Sequence, residues 1–353
     1  MTAPSPTFPM GSFATASIKS EGEVIDGTFK VLSIDVWAAI NKVPKARIVL
    51  SDGNAAKRDF PISSSPTFIP GKKIEIAAGY DTHKNCTIFK GVVLKQGIEI
   101  DASGSSKLIV HVTDEAITMT LERKNAVFDK ITDGDLIGKL ITSNGLAKDV
   151  ASTDTVHEEI VQSYTSDWDL MLTRAEMNGL VVVVDGGKVV VKAPDTRQAA
   201  VIFFEFGESI FDLQAEMNAA TQYSSSAINS YTWDPDAQKL IEAGPGPVKV
   251  TEQGNISSAD LAKVFDVKKF PQQTGAAIEK TALKDRSSAE LLKSKLSKIR
   301  GHVRSDGTAL AQIGKTIELA GLGTRFNGDA FISGIHHVIA DGRWLTTAYF
   351  GLE

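Results

Sequence analysis

Along the first 125 residues apolar and polar positions alternate in short runs separated by turn residues. Phe29, Val31, Ser33, Asp35 and Trp37 interleave with Lys30, Leu32, Ile34 and Val36, and Arg47 to Leu50 is a short apolar strand. Ile69-Pro70-Gly71 turns into Ile74-Glu75-Ile76, and Thr87 to Leu94 forms the next strand. Ser103-Gly104-Ser105-Ser106 separates a strand ending near Ile100 from Leu108 to Val112. Short strands with turns at this spacing predict a sandwich or barrel, not a parallel sheet. The expectation is an all-β first domain over residues 13–125, preceded by an arm over 1–12.

The periodicity changes after Arg123. Asp133-Gly134-Asp135 can cap a helix with the apolar face Leu136, Ile137, Leu140 and Ile141, stopped by Gly145. A strand follows at Glu159 to Ser163. Ser166-Asp167-Trp168-Asp169 then gives a capping box with Asp169 at N3. Leu170, Leu172, Ala175 and Met177 belong to that helix, and Gly179 supplies a left-handed stop. Leu180 to Val184, Asp185-Gly186-Gly187 and Lys188 to Val191 make a hairpin rich in β-branched residues. Together these predict a small α+β domain over 126–202.

From Phe203 strands return, at Phe211 to Ala219 and at Ser226 to Trp233, the latter ending in Asp234-Pro235-Asp236. Gly244-Pro245-Gly246-Pro247 breaks the pattern, and residues 250–285 show no clear period. Ser287-Ser288 caps a predicted helix to Arg300, with Ala289, Leu292, Leu296 and Ile299 on one face. A second β domain is therefore predicted over 203–353, with an irregular and helical insertion at about 250–300.

The two β regions share sequence. Gly71-Lys72-Lys73-Ile74-Glu75-Ile76-Ala77 returns as Gly314-Lys315-Thr316-Ile317-Glu318-Leu319-Ala320. The same spacing lays Gly91 on Gly334 and Ile88-Phe89 on Phe331-Ile332. Each copy is preceded by Ser-Asp-Gly, at Ser51-Asp52-Gly53 and Ser305-Asp306-Gly307. A seven-residue match alone arises easily by chance; the shared downstream spacing and the shared turn argue for duplication. The predicted fold class is mainly β with α+β: two related β-barrel domains, a small α+β domain and a helical insertion.

Composition narrows the function classes. A chain of 353 residues exceeds one small core,. The formal charge of −5 and pI near 5.8 give no footprint for a polyanion, which argues against nucleic acid as a partner,. Cys86 is the only cysteine, so neither an intrachain disulfide nor a cysteine metal cluster is available,. Met1 to Met10 holds Pro4, Pro6 and Pro9 and lacks a basic stretch before an apolar run, so it reads as a flexible arm, not a signal peptide. No apolar run approaches the roughly 18 residues of a membrane span. Synthesis in the cytoplasm is expected.

Candidate chemistry is sparse. His157-Glu158-Glu159 lacks the second histidine that a helical zinc site needs. His336-His337 are strand neighbours that face opposite ways, which predicts one buried and one exposed histidine instead of a chelating pair. Asp167 and Asp169 flank Trp168, but capping and the positive helix end account for both. There is no Gly-x-Ser-x-Gly elbow and no P-loop lysine. The glycines at 186–187 and 244–246 read as hairpin and linker. Lys284, Arg286, Lys293, Lys295, Lys298 and Arg300 give the 286–300 helix a basic face, which reads as solvated, with contact to an acidic neighbouring subunit as the lesser alternative. Trp37, Trp168, Trp233 and Trp344 read as core or interface anchors. The expectation is no enzyme, with no catalytic, cofactor-binding or metal-binding residues and no cofactor.

Two stretches resemble a known family. Glu159-Ile160-Val161-Gln162-Ser163-Tyr164-Thr165-Ser166-Asp167-Trp168-Asp169-Leu170, continuing through Arg174-Ala175-Glu176-Met177-Asn178-Gly179, is similar to a stretch of phage late-control D and VgrG-type baseplate hub proteins. The closing pattern also resembles theirs: Phe326-Asn327-Gly328, then Ser333-Gly334-Ile335-His336-His337, then Thr346-Thr347. The resemblance implies two related barrels, trimerisation, and a homotrimer with pseudo-six-fold symmetry. That trimer would adapt a hexameric inner tube protein to a trimeric spike, beside other baseplate proteins of a contractile tail or injection particle. VgrG chains continue into a spike; this sequence stops at Glu353, so the spike is expected as a separate chain or a missing C-terminal part. A carbohydrate- or peptidoglycan-binding module protein is the alternative reading.

Overall fold

The computed structural model describes residues 3–7, 12–81, 85–235, 237–273 and 279–352. The first alternating runs become β1 (Ala14–Ser20), the short β2 (Glu23–Val24), β3 (Val31–Ala39), β4 (Lys45–Ser51), β5 (Lys73–Tyr80), β6 (Cys86–Ile100) and β7 (Ser106–Thr113). They lie in the order β3-β4-β7-β6-β5-β1, each neighbour antiparallel. Period-two patterning sends one set of side chains to a common interior. Ile34, Ile48, Leu50, Ile76 and Val110 pack there around Phe68.

A single turn, α1 (Thr118–Leu121), leads into β8 (Arg123–Thr132), α2 (Asp133–Ser143), β9 (Ala147–Val150), β10 (Val156–Ser166), α3 (Asp167–Met177), β11 (Val181–Asp185) and β12 (Lys188–Lys192). β8 and β10 form a ribbon, while β11, β12 and β9 form a small sheet. Leu136, Ile137, Ile141, Met171, Val182 and Val191 make their core. That core also takes in Ala116 and Met119, so this unit reaches back before the expected start at residue 126. The capping box forms at α3: Ser166 Oγ accepts from the Asp169 amide at 3.1 Å and donates to its carboxylate at 2.7 Å. At α2 the cap is Thr132, whose hydroxyl accepts from the Asp135 amide. Asp133 is left free of capping.

The remaining chain forms β13 (Ile202–Glu205), β14 (Asp212–Met217), β15 (Ile228–Asp234), β16 (Lys239–Ala243), α4 (Ser258–Phe265), β17 (Phe270–Gln273), α5 (Lys280–Leu296), β18 (Ile299–Asp306), β19 (Thr316–Ala320), β20 (Gly328–Ala340) and β21 (Arg343–Phe350). β15, expected in the second barrel, instead builds its own sheet with β16 and β17. The insertion therefore fills the whole chain between β14 and β18, not only 250–300. The stretch without a visible period contains α4 and β17. The helix assigned to a Ser287-Ser288 cap begins earlier, at Lys280, and ends before Ile299 opens β18. Ser287 is buried mid-helix, its hydroxyl 2.8 Å from Ser230 Oγ and 2.9 Å from the Ala243 carbonyl oxygen. A polar residue doing this inside a helix looks, in sequence, like a cap.

The second β region has the order β14-β18-β21-β20-β19-β13, which repeats the first connection for connection. Gly71 and Gly314 each donate across the ladder, to Val93 O at 2.8 Å and Ile332 O at 3.0 Å. Both glycines have positive φ, 95° and 79°. Both long strands are bulged at the matching point, between Val93 and Lys95 in β6 and between Ile332 and Gly334 in β20. The cross-strand row Ile34, Ile48, Val110, Gln96 thus corresponds to Leu213, Val303, Ala348, Ile335. Lys95, not Gly91, is the counterpart of Gly334, because the β19–β20 hairpin is shorter than β5–β6. One strand differs in direction: β1 is antiparallel to β5, whereas β13 is parallel to β19.

The two halves are fused. β20 pairs antiparallel with β3 from Gly334 opposite Ala39 to Ala340 opposite Ser33, giving one 13-stranded sheet. Ile339 and Trp344 of the second half complete the core of the first. The buried Tyr80 hydroxyl donates to the carbonyls of Gly307 and Trp344. Part of the expected free arm is docked: the Phe203 amide donates to Pro4 O at 3.1 Å. Residues 1–2 and 8–11 of that arm, and Asp236 of the predicted turn, lie outside the described residues.

The duplication predicts matched energetics at its two turns. A Cβ on Gly71 meets open space, and one on Gly314 meets only Val183 Cγ2 at 3.7 Å. Gly71→Ala and Gly314→Ala should each cost about 1–2 kcal/mol from the left-handed backbone alone. Denaturant titration of the two variants checks that the losses agree.

Candidate functional site

The histidine pair sits at the fused β3–β20 ladder, and its members do face opposite ways. His337 is buried; its Nδ1 accepts from the Thr346 hydroxyl at 2.9 Å and lies 3.4 Å from the Trp344 Nε1 donor. Burial, with the neighbouring His336, pushes its pKa down to about 3. His336 stacks on Trp37 at 4.8 Å between ring centroids and places Nε2 3.3 Å from Asp35 Oδ1. Lys45 covers the same Trp37 ring at 5.5 Å. Trp168 and Trp344 are buried, while Trp233 is exposed.

The α+β unit holds two ionic knots that were not visible in the sequence. Asp133, spared from capping, receives Arg174 Nε and Asn178 Nδ2, the latter at 2.7 Å, and His157 Nε2 lies 3.1 Å from its Oδ2 and 2.8 Å from Arg174 Nη2. Burial acts to raise its pKa, but His157, Arg174 and Asn178 together hold it below the ordinary carboxylate value. Asp167 is equally buried and accepts from Lys124 and Asn144, each at 2.7 Å, and from Gln162 at 3.0 Å. Burial again opposes the net lowering that Lys124 and the two amides produce. Asp169 is occupied by the cap. These carboxylates are consumed by structure. Among the described residues no group of three or more His, Cys, Asp or Glu side chains could hold a metal ion.

The basic helix face is also partly consumed. Lys298 is buried, bonding Glu252 at 3.0 Å and the Ile256 carbonyl at 2.9 Å, and Lys295 donates to the Val248 carbonyl. These lysines staple the 244–258 excursion to the end of α5, so the face is not simply solvated.

What stands out is a pair of unfilled sheet edges. β14 is the terminal strand of the large sheet, paired only with β18. β6 pairs with β5 only up to Val92; from Lys95 to Ile100 it pairs with β7 alone. An open edge leaves a row of backbone donors and acceptors ready to pair. Between β3 and β14 the solvent face of the sheet forms a groove of about 750 Å³. Trp37, Glu216, Arg300 and His302 line it. Arg300 pairs with Glu216 at 3.1 Å, and His302 Nε2 lies 3.2 Å from Asp212 Oδ2. In the first half Lys95, Arg47 and Lys45 instead surround His111, whose pKa is lowered by burial and by these three cations.

A family model described as the Alg8 N-terminal domain matches residues 11–341. The chain belongs to the Alg8 N-terminal domain family. Its fold is shared with solved tail proteins. The 43 kDa tail protein of prophage MuSo2 from Shewanella oneidensis is 11% identical, with a TM-score of 0.70 over 96% of this chain and 98% of that one. A tail protein from Neisseria meningitidis is 13% identical, with a TM-score of 0.68 over 97% of each chain. An E. coli component of the type VI secretion system is 12% identical, with a TM-score of 0.55 over 95% of this chain and 76% of that one. At these identities the likeness is one of fold. No curated protein matches the sequence. No helix among the described residues is long and apolar enough to cross a membrane.

Two measurements test the buried groups of this family member. His337 binds a proton in the unfolded chain near the ordinary value of 6.5 but resists it when folded, down to about 3. Its contribution to stability is therefore complete above pH 6.5 and declines as pH falls through that window. His337→Gln should flatten the decline above the carboxylate range, as read by denaturation midpoints against pH. Arg174→Met strands the buried Asp133 and should destabilise by about 3–5 kcal/mol, the range for a broken buried pair. Calorimetry of the variant checks it.

Proposed function

We propose that this chain is a structural, non-enzymatic baseplate hub of a contractile tail-like injection system, of the late-control D and VgrG type. Three chains form a ring with pseudo-six-fold symmetry that adapts a hexameric inner tube to a trimeric spike. The observation that carries this reading is the duplicated sheet, in which two halves of equal strand order are joined edge to edge through β3 and β20. A chain that contains its own lateral contact once offers six similar wall segments per trimer. The fold shared with phage tail and type VI secretion proteins supports the same assignment. In this reading the first barrel covers about 13–125, the α+β unit about 126–202 and the second barrel 203–353, the last carrying the insertion. The protein is made in the cytoplasm and works in the assembled particle, beside other baseplate proteins.

Solution mass and end-on particle images test the reading. With its tube and spike partners present, the chain should assemble as a trimer showing six lobes. Isolated two-lobed particles that ignore those partners, or a measurable affinity for glycan, would overturn it.

A further inference from the structure

The fused ladder inside the chain specifies the contact between chains. By strand order and bulge position β14 is the counterpart of β3, and the distal half of β6 is the counterpart of the distal half of β20. β3 and β20 have found each other; β14 and distal β6 have not, and both edges are open. We infer that β14 of one chain pairs antiparallel with distal β6 of a second copy, with Leu213 opposite Ile100 and Ala215 opposite Ile98. This register transfers the internal pairs Ile34–Ile339 and Val36–His337. It rests on the hub reading only for the number of chains.

Burial supports the transfer. His337 and Ile339, inside the completed junction, are 5% and 9% exposed, whereas their counterparts Ile98 and Ile100 are 54% and 64% exposed. Ile339 fills the first core from the far side of the junction. Leu213 and Ala215 are only partly buried at the margin of the second core, which lacks that contribution. Ile100 of a neighbouring copy supplies it. Two solvent-exposed isoleucines on an open strand edge are otherwise an aggregation hazard that folded proteins avoid.

Charge suits this pairing. The register brings Glu216 diagonally across from Lys95, within reach of long side chains on adjacent strands. Lys95 lies in the cationic cluster around His111. At the outer end Asp212 meets Asp101, so the ladder stops there. Each chain carries one edge of each kind, so the contact is head-to-tail, the type that closes into a ring when the rotation permits.

Cross-linking tests the register. In a Cys86→Ser background, Glu99→Cys and Gln214→Cys place thiols directly opposite each other on the solvent face. Oxidation of the double variant should give a covalent ladder ending in a closed trimer. Glu99→Cys with Ala215→Cys, slipped by one residue, points the thiols to opposite faces and should give none. Ile98→Lys with Ile100→Lys changes only exposed side chains, so the fold should be retained while association weakens by at least about tenfold, more than about 1.4 kcal/mol. A trimer by mass that never cross-links at 99/214 overturns the pairing and leaves the hub reading standing. Cross-links that run into open chains sustain the pairing and sink the three-fold ring. No association and no cross-link, with every partner present, overturns both.

Discussion

Backbone pairing between β3 and β20 is the interaction on which the architecture depends. Without it the chain would be two similar half-shells on a tether, each with its apolar interior open on one side. With it, Ile339 and Trp344 enter the first core, Tyr80 reaches the second half, and a single sheet runs across both copies. The ladder has no sequence specificity of its own; register comes from what faces inward. A slip of one residue would turn Ile34, Val36 and Ile339 to solvent and Asp35 and Trp37 to the core, which the hydrophobic term forbids.

The α+β unit is held differently. Its helices bury Asp133 and Asp167 at their first turns, where the helix end already favours negative charge. Each carboxylate then gathers cationic or amide donors from neighbouring elements. Buried ions of this kind cost desolvation and recover it only when every partner is in place. They define where the helices and the β8–β10 ribbon meet more sharply than aliphatic contacts would. The unit is therefore joined by paired buried carboxylates as well as by its apolar core.

Much of this was readable from residues alone, because the signals involved are local. Alternation at 29–37, the capping box at Ser166 and the double glycine at 186–187 each specify a structure within a few positions. The duplicated heptapeptide marked the repeat, but its downstream alignment slipped, since hairpin length is set by strand pairing and leaves no mark in the sequence. Non-local partnerships were illegible. Nothing near β15 reveals that it joins β16 and β17 in preference to the barrel. Ser287 imitates a cap because a serine that bonds across a helix interface has the same residue type as one that ends a helix. Asp133 meets His157 and Arg174 from 24 and 41 positions away.

The insertion between β14 and β18 belongs to one copy only, while its counterpart, the loop from β3 to β4, is a tight turn. A ring of identical single-copy subunits must decorate every position alike. Joining two copies in one polypeptide removes that restriction, because each can then drift on its own. In the proposed three-chain ring, alternate stations would carry the insertion and the ones between would not. That broken periodicity would give a three-armed partner of the proposed ring an unambiguous set of seats.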